Sequence, residues 1–377
     1  MNPKALIIFG TRPEAIKMAP LVAAMRGLGT VDVRVCVTAQ HRDMLDQVLK
    51  LFDITPEYDL NLMTPGQSLS DITIRTLEGV SALLDDWCPN LVLVHGDTTT
   101  SAIASMACFY KRIPVGHVEA GLRTHDIGSP WPEEYNRRLV GLVGRLHFAP
   151  TPRARQNLRA ENVPAEHVWV TGNTVIDALQ QISQRIDEST TLAAKLQQKF
   201  LFLDHERRLI LVTGHRRENF GDGIEAICNA LKRLAKRGDV QIVYSVHQNP
   251  NVKTPVETLL GAVRDVHLLP PQDYLSFVYL MKRAAVILTD SGGIQEEAPA
   301  LGKPVLVMRD MTERPEAIEA GTARLVGTDC SSIVEEVGRL LDDTDAYSRM
   351  ATSQNPYGDG TAAHQIATII QRFLHET

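Results

Sequence analysis

The sequence lacks the long apolar runs of a membrane protein and the cysteine pattern of a secreted one. No stretch of its 377 residues approaches the ~20 consecutive apolar residues of a membrane span. Its five cysteines are scattered, odd in number and never in a C-x-x-C, which indicates reduced, mostly buried thiols. The first residues run straight into a predicted strand without a signal-peptide pattern. We therefore expect a cytoplasmic protein with no membrane partner.

Cofactor and metal motifs are also missing. The sequence contains no G-x-G-x-x-G, no Walker A, no G-x-S-x-G and no H-E-x-x-H. No set of Cys, His, Asp and Glu has metal-ligand spacing. The net charge of −6 argues against a nucleic-acid binder, so any anion site must be a local cluster. We expect no cofactor, no metal and no nucleic-acid partner.

Strand-like apolar runs alternate with amphipathic helical stretches along the chain. The runs are continuous in Val, Ile and Leu, which indicates parallel strands buried on both faces by helices. At 377 residues the chain is too long for one ordinary core. The predicted strands are Ala5–Phe9, Val31–Val37, Leu91–Val94, Pro114–Val118, Leu146–Ala149, Val168–Thr171, Leu209–Thr213, Gln241–Val246, Val266–Leu269, Val286–Thr289 and Pro304–Met308.

The alternation breaks at Thr174–Glu206, where two polar helical segments meet. We therefore predict an α/β protein of two Rossmann-like domains, residues 1–173 and 174–360, whose parallel sheets face a cleft. A last helix at about 361–377 follows a turn rich in Pro and Gly, and we expect it to pack back on the first domain.

The segment Val286–Ala298 carries the strongest functional signal. A β-branched run ends in a glycine turn that opens a helix, which aims backbone N–H groups and the positive end of the helix dipole at an anion. Acidic residues in the first turns favour a ligand with hydroxyls beside its phosphates. The alternative is a Ser N-cap with glycines for tight packing. The candidate residues here are Ser291, Gly292, Gly293 and Glu297.

In the first half, three carboxylates follow three predicted strands or the loops after them, and ligand-side loops lie at strand carboxyl ends. Each has a plainer interpretation: helix-start charges, an N-cap at Asp97, or a surface i,i+4 pair of Glu133 with Arg137. Three such carboxylates in one domain are harder to explain structurally. The candidates are Arg12, Lys17, Asp97, Glu119, Glu133 and Arg137.

Further polar residues follow strands of the second half. His215 and Arg216 sit beside another arginine at a strand end, where phosphate contact is favoured over a purely structural role. Gln272 and the Phe277 ring could frame a planar base, with Phe277 as helix core the alternative. Arg314 lies on the next ligand-side loop.

These residues resemble the bacterial non-hydrolysing UDP-N-acetylglucosamine 2-epimerases over essentially the whole chain. The motifs are FGTRPEAIKMAP at Phe9–Pro20, TAQHR at Thr38–Arg42, VHGDTTT at Val94–Thr100, HVEAGLRT at His117–Thr124, PWPEE at Pro130–Glu134, TGHRREN at Thr213–Asn219, TDSGGIQEEA at Thr289–Ala298 and RDMTERPEA at Arg309–Ala317. The resemblance implies the glycosyltransferase-B architecture, a homodimer, and conversion of UDP-GlcNAc to UDP-ManNAc for surface polysaccharide.

The resemblance also implies roles for single residues. Catalytic candidates are Asp97, Glu119 and Glu133, with Arg137 and His215 in support. A regulatory UDP-GlcNAc site is matched by Gln40, His41, Glu133 and Arg216, while Asp43 and Gly66 stand where regulated members carry Gln and Arg. The UDP-sugar ligands would be Arg12, Lys17, Asp97, Glu119, His215, Gln272, Phe277, Ser291, Gly292, Gly293, Glu297 and Arg314.

The chemistry of C2 inversion accounts for several carboxylates and no cofactor. No carbonyl acidifies the C2 proton, so direct removal by a carboxylate fails. Breaking the C1–O bond to UDP first makes that proton acidic, and its loss leaves 2-acetamidoglucal. Re-addition of UDP, with protonation on the opposite face of C2, gives the epimer. The residue types do not say which carboxylate is base and which is acid. A hydrolysing epimerase, a glycosyltransferase of the same architecture and a non-catalytic sugar-nucleotide sensor remain alternatives.

Overall fold

Two compact units make up the chain, Met1–Ala178 together with Tyr357–Thr377, and Leu179–Pro356. The computed structural model describes residues 2–38, 42–62, 64 and 66–376, with the backbone alone at residue 43. The divisions between the units lie after Ala178 and after Pro356. The sequence placed the predicted boundaries after residues 173 and 360.

The first unit is built on a parallel sheet with the strand order β3-β2-β1-β4-β5-β6-β7. The central strands are fully buried because their side chains are apolar on both faces; Leu6, Ile7 and Ile8 are completely inaccessible to solvent. The strands are β1 (Lys4–Phe9), β2 (Asp32–Val37), β3 (Tyr58–Asp59), β4 (Leu91–His95), β5 (Val115–Val118), β6 (Leu146–Ala149) and β7 (Val168–Val170).

Several helices of this unit begin at side-chain caps that the sequence provides. Thr11 and Glu14 form a capping box at the start of the first helix, and Ser68 forms another at the third. The helices are α1 (Arg12–Gly27), α2 (Arg42–Leu51), α3 (Leu69–Trp87), α4 (Thr99–Tyr110), α5 (Glu133–Val143), α6 (Pro152–Ala160), α7 (Thr174–Glu188), which continues into the second unit, and α16 (Ala362–Glu376).

The C-terminal helix α16 belongs to the first unit, where it packs against α1. Its apolar face is buried at Ile366 and Ile370. At its N-terminus the amide of Ala363 donates to Asp177 Oδ1 at 2.8 Å, so a carboxylate sits at the positive end of the helix dipole. Burial raises the pKa of Asp177 to about 6.

The second unit has a parallel sheet with the strand order β10-β9-β8-β11-β12-β13. Its strands are β8 (Arg208–Gly214), β9 (Val240–Val246), β10 (Val266–Leu269), β11 (Ala284–Thr289), β12 (Val305–Val307) and β13 (Ala323–Leu325). Its remaining helices are α8 (Thr190–Lys199), α9 (Asp222–Ala235), α10 (Pro250–Leu260), α11 (Tyr274–Arg283), α12 (Gly292–Glu297), α13 (Pro315–Glu319), α14 (Cys330–Asp342) and α15 (Thr344–Ala351).

The strand prediction is confirmed for the buried strands and incomplete at the sheet edges. All eleven predicted strands are present, with ends that differ by at most two residues. The structure adds β3 and β13, each at one edge of its sheet. Both are short and partly exposed, so neither contains the continuous apolar run that marks a buried strand.

Each sheet has one point at which the strand order reverses. In the first unit β1 pairs with both β2 and β4, and in the second unit β8 pairs with both β9 and β11. The helices that follow such neighbouring strands leave on opposite faces of the sheet, which opens a crevice at their carboxyl ends. We therefore expect ligand-binding side chains on the loops after β1 and β4 of the first unit and on the loops after β8 and β11 of the second unit.

Two further predictions concern cysteines and membranes. The five cysteines are free; Cys36, Cys108 and Cys228 are buried, whereas Cys88 is exposed at the end of α3. None of the described helices combines the length and the hydropathy that crossing a bilayer requires.

Candidate functional site

A buried carboxylate joins the two loops at the reversal point of the first sheet. Glu14 Oε2 accepts hydrogen bonds from the amides of Gly10 at 3.0 Å and Thr11 at 2.8 Å. Its Oε1 accepts from the hydroxyl of Thr98 at 2.6 Å and lies 3.2 Å from that of Ser101. Burial raises the pKa of Glu14, against the lowering effect of these hydrogen bonds. Glu14 thus fixes the loop after β1 relative to the loop after β4.

Asp97 lies on the loop after β4. The alternative interpretation, in which Asp97 is the N-cap of the next helix, is wrong. Thr98 caps α4, its side chain accepting from the amide of Ser101 at 3.1 Å. The carboxylate of Asp97 instead pairs with the guanidinium of Arg137. Arg137 is in turn 3.3 Å from the buried carboxylate of Glu134. Asp97 is therefore held, part-exposed, by an arginine that reaches it from α5.

Glu119 follows β5 with a backbone φ of +61°, a left-handed conformation that is strained for a residue other than glycine. Its Oε2 pairs with Lys17 Nζ and accepts from Asn173 Nδ2 at 2.7 Å. His95 Nε2 lies 3.8 Å from the same oxygen. The side chain of Glu119 is only 8% exposed, so the cation and the amide compensate for the loss of water around its charge.

Glu133 begins α5, as predicted, but it does not form an i,i+4 pair with Arg137. Arg137 contacts Glu134 and Asp97 instead. The Oε2 atom of Glu133 is buried and has no hydrogen-bond partner among the described residues. The surface-pair interpretation is therefore wrong, and Glu133 presents an unpaired carboxylate oxygen.

The candidate Arg12 lies at the first position of α1.

Taken together, the loops of the first unit hold two ion-paired carboxylates that are mostly buried or half-buried. Asp97 with Arg137 and Glu119 with Lys17 each combine an acidic and a basic group. An ionised carboxylate is the form that acts as a base, and an adjacent cation favours that form. This arrangement fits acid–base chemistry on a small polar substrate.

In the second unit a second buried carboxylate joins the loops after β8 and β11. Asp290 Oδ2 accepts from the amides of His215 and Arg216, both at 2.8 Å, and Asn219 Nδ2 lies 3.3 Å away. His215 Nδ1 is 3.1 Å from Asp290 Oδ1. Burial alone would raise the pKa of Asp290, but the hydrogen bonds of His215 and Arg216 outweigh it and lower that pKa. The imidazole of His215 is thereby oriented while remaining 41% exposed.

The glycine turn after β11 lies close to charged side chains. A Cβ on Gly292 would lie 3.3 Å from Glu313 Oε1 and 3.7 Å from Arg314 Cζ. Ser291 occupies the N-cap position of α12, yet its side chain makes no capping hydrogen bond. Gly293 follows on the same turn, with a hypothetical Cβ 3.7 Å from Glu297 Oε1. The Ser-cap interpretation is therefore wrong, and the first amides of α12 receive no hydrogen bond from Ser291.

The acidic residues of α12 have separate partners. Glu296 is buried and pairs with Arg314, the arginine predicted on the next loop. Glu297 accepts a hydrogen bond from the hydroxyl of Tyr274 at 2.9 Å. Arg216, predicted as a regulatory residue, donates to Glu313 at 2.5 Å. Gln40 and His41, two further regulatory candidates, lie outside the described residues.

The two candidates for framing a planar base lie near the start of α11. Gln272 precedes the helix, and its side-chain amide donates to the carbonyl of Pro270 at 2.7 Å. Phe277 lies within α11 and is half-buried, while its neighbours Ser276 and Val278 are buried. Phe277 is therefore not a fully buried core residue of α11.

Four residues of these loops were missed by the sequence reasoning. Glu14 carried a detectable signal, the T-x-x-E spacing of a capping box, and Glu134 adjoins a candidate. Asn173 and His95 carried none, because only the fold brings them to Glu119. Within the described part of the chain, no three His, Cys, Asp or Glu residues are grouped to hold a metal ion.

Two Rossmann-like units, each with polar side chains at the carboxyl ends of a parallel sheet, define an α/β enzyme of the glycosyltransferase-B fold class. The model of the UDP-N-acetylglucosamine 2-epimerase family matches residues 23–371. The chain belongs to this family, whose members are isomerases.

Individual relatives agree with this assignment over nearly the full length. A UDP-N-acetylglucosamine 2-epimerase of Salmonella typhimurium is 60% identical over 371 residues, covering 98% of this chain and 99% of the relative. The crystal structure of UDP-GlcNAc 2-epimerase from Neisseria meningitidis bound to UDP-GlcNAc is 51% identical, with a TM-score of 0.91, covering 98% of this chain and 100% of that one. The enzyme of Methanocaldococcus jannaschii in complex with UDP-GlcNAc and UDP is 30% identical, with a TM-score of 0.81, covering 98% and 99%.

The role of Asp290 generates a stability prediction. Replacing it by Asn in Asp290→Asn should lower the free energy of unfolding at pH 7 by about 1–3 kcal/mol, because two backbone amides lose a charged acceptor. The pKa of Asp290 is lowered in the folded protein, so its contribution is present above the unfolded value of about 3.9 and is lost as the pH falls through the lower, folded value.

Urea denaturation as a function of pH measures this contribution. The difference between wild type and Asp290→Asn should be constant between about pH 7 and 5 and shrink below about pH 4. Glu335→Gln, at an exposed carboxylate of α14, serves as the control and should show no such difference. A pH-independent difference for Asp290→Asn would contradict the assignment.

Proposed function

We propose that the protein interconverts UDP-N-acetylglucosamine and UDP-N-acetylmannosamine by eliminating UDP and adding it back. The observation that carries the proposal is the pair of ion-paired carboxylates, Asp97 with Arg137 and Glu119 with Lys17, on neighbouring ligand-side loops of the first sheet. C2 inversion requires a base on one face of the sugar and an acid on the other. Relatives named UDP-N-acetylglucosamine 2-epimerase at 60% identity support the substrate.

In the proposed first step the C1–O bond breaks and UDP leaves with the electron pair. The C2 proton passes to a carboxylate, and a C1=C2 double bond forms 2-acetamidoglucal. In the second step UDP oxygen adds back to C1, and a proton is delivered to the opposite face of C2. Asp97, Glu119 and Glu133 are the proposed acid and base groups, and Arg137 supports Asp97. The product would supply surface polysaccharide synthesis.

The second unit supplies the proposed groups for the nucleotide. The turn at Ser291, Gly292 and Gly293 offers backbone amides, and His215, held by Asp290, offers a ring nitrogen to the diphosphate. Such donors stabilise the charge that develops on the leaving UDP. The full set of proposed substrate contacts is Arg12, Lys17, Asp97, Glu119, His215, Gln272, Phe277, Ser291, Gly292, Gly293, Glu297 and Arg314.

A regulatory role for bound UDP-GlcNAc, at Gln40, His41 and Arg216, remains a proposal from the resemblance. The contact of Arg216 with Glu313 shows that its guanidinium is already engaged by a carboxylate of its own unit. A second substrate molecule would have to compete with this ion pair for Arg216.

We also propose that the protein is a homodimer formed through the α4 and α5 surface of the first unit. Phe109 and Tyr110 at the end of α4 are 63% and 66% exposed, and Leu142 near the end of α5 is 82% exposed. The two helices pack against each other, so these exposed side chains lie on neighbouring helices of the first unit. Exposed apolar groups of this size on adjacent helices favour association.

The elimination mechanism predicts exchange of the C2 proton with solvent. Turnover of UDP-GlcNAc in D₂O should place deuterium at C2 of UDP-ManNAc, as followed by proton NMR. Asp97→Asn, Glu119→Gln and Glu133→Gln should each reduce kcat by about 10²–10⁴-fold, because the amides keep the shape but cannot act as bases. Circular dichroism should show the fold preserved.

The same NMR experiment separates the alternatives. Retention of the substrate C2 proton in the product would contradict two-base elimination. Release of free N-acetylmannosamine would indicate a hydrolysing epimerase, and an unchanged substrate would indicate a binding protein or a glycosyltransferase without its acceptor.

The glycine turn predicts a loss of nucleotide affinity in Gly292→Val. The added methyl groups would displace the side chains of Glu313 and Arg314 or the bound phosphate, and we expect UDP to bind at least about tenfold more weakly, or about 1.4 kcal/mol. Isothermal titration calorimetry with UDP measures the effect. Gly338→Val, within α14, is the matched control and should bind like wild type. Equal affinities would restrict the turn to a structural role.

The dimer proposal predicts that Leu142→Glu gives a monomer. A charged side chain buried against a second copy lacks a partner, which opposes association. Size-exclusion chromatography with light scattering should report twice the chain mass for wild type and one chain mass for the variant. Leu201→Glu, at a residue of the second unit that is 78% exposed, should leave the mass unchanged. A dimeric Leu142→Glu would place the interface elsewhere.

A further inference from the structure

His95 is a buried polar side chain that the proposed reaction does not yet use. It is the last residue of β4 and only 4% exposed. Its carbonyl oxygen accepts a hydrogen bond from the hydroxyl of Ser101 at 2.6 Å, which fixes the backbone at the strand end. Its Nε2 atom is buried without a hydrogen-bond partner in the described part of the chain. Buried polar atoms are normally paired, so this one requires an explanation.

The unpaired nitrogen faces a proposed catalytic carboxylate. His95 Nε2 lies 3.8 Å from Glu119 Oε2, the oxygen that also contacts Lys17 and Asn173. A hydrogen bond requires about 2.7–3.2 Å, so a movement of less than about 1 Å would form one. The charged groups that act on His95 are Glu119, Lys17 on α1 and Asp97 on the loop after β4.

The imidazole is neutral at the pH at which the protein would work. Burial lowers the pKa of His95 to about 4, with the charge of Glu119 acting in the opposite direction and that of Lys17 in the same direction. Asp97, on the loop after β4, has a smaller raising effect. His117 on β5 is also buried, and its pKa is lowered as well, so it adds no positive charge.

We propose that His95 is a positioning residue for Glu119, donating Nε2–H to the carboxylate when Glu119 is ionised. This inference rests on the proposed function. The left-handed backbone conformation of Glu119 fixes the direction in which its side chain leaves the main chain. The neighbouring side chains of Lys17, Asn173 and His95 then orient the carboxylate. A neutral donor stabilises the anion without the full charge of a second cation, so Glu119 can still take up and release a proton.

The rate profile with pH tests this role. His95→Phe keeps a ring but removes the donor, so the acid-side midpoint of the kcat profile should rise by about one pH unit, as expected for losing one hydrogen bond to a charged group. KM for UDP-GlcNAc should change little. His95→Gln restores a donor and should return the midpoint towards wild type. A purely structural role would lower kcat at every pH in both variants without moving the midpoint, and would overturn the proposal.

A direct titration separates this proposal from the proposed function. Carboxyl ¹³C NMR of the substrate-free, glutamate-labelled protein follows Glu119, whose signal is identified by its absence in Glu119→Gln. The titration midpoint should rise in His95→Phe and not in His147→Phe, which alters another buried histidine of the same sheet. An unmoved midpoint overturns the role of His95 even if the enzyme epimerises its substrate.

The outcomes are distinct because the titration needs no turnover. If wild type does not epimerise UDP-GlcNAc but the Glu119 midpoint moves in His95→Phe, the proposed function fails and the coupling of the two side chains stands. If His95→Phe does not fold, His95→Leu, with a smaller side chain, provides the same removal of the donor and the same expected shift.

Discussion

A buried carboxylate at the reversal point of each sheet is the constraint on which both groups of functional residues depend. In the first unit Glu14 accepts two backbone amides and joins the loops after β1 and β4. In the second unit Asp290 accepts two backbone amides and joins the loops after β8 and β11. Loops that leave a sheet on opposite faces have no strand partner to hold them, so a charged acceptor shared between them takes that role.

The functional side chains near the two buried carboxylates, Glu14 and Asp290, differ in kind. Near Glu14, the loop after β4 carries Asp97 and helix α1 carries Lys17, and each of them pairs with an oppositely charged side chain of the same unit. Around Asp290 the loops carry His215 and the glycine turn, which present nitrogen donors. Hydrogen bonds to a buried charge are stronger than neutral ones, and leaving either carboxylate unpaired would be costly. The same interactions therefore stabilise the fold and orient the side chains proposed to act on the substrate.

The sequence predicted the buried strands and the strand-end positions of several candidate residues because these depend on local patterns. Continuous apolar runs identified eleven strands, and polar residues directly after them, such as Asp97, Glu119 and His215, lie at strand carboxyl ends in the structure. The edge strands β3 and β13 escaped because a strand that is partly exposed needs no apolar run. The plainer alternative for Glu133, a surface i,i+4 pair with Arg137, was wrong because a tertiary partner, Asp97, competes for the arginine.

What the sequence by itself determined is the class of fold, the family and the loops that carry polar chemistry. Each of these follows from residue order alone: periodicity, glycine turns and motifs with fixed spacing. Only the tertiary structure decided which side chains meet. Lys17, His95 and Asn173 come from a helix, a strand and a loop far apart in sequence, yet all three lie at one oxygen of Glu119. Sheet order and strand register bring them together, and these depend on packing across the whole unit rather than on any local pattern.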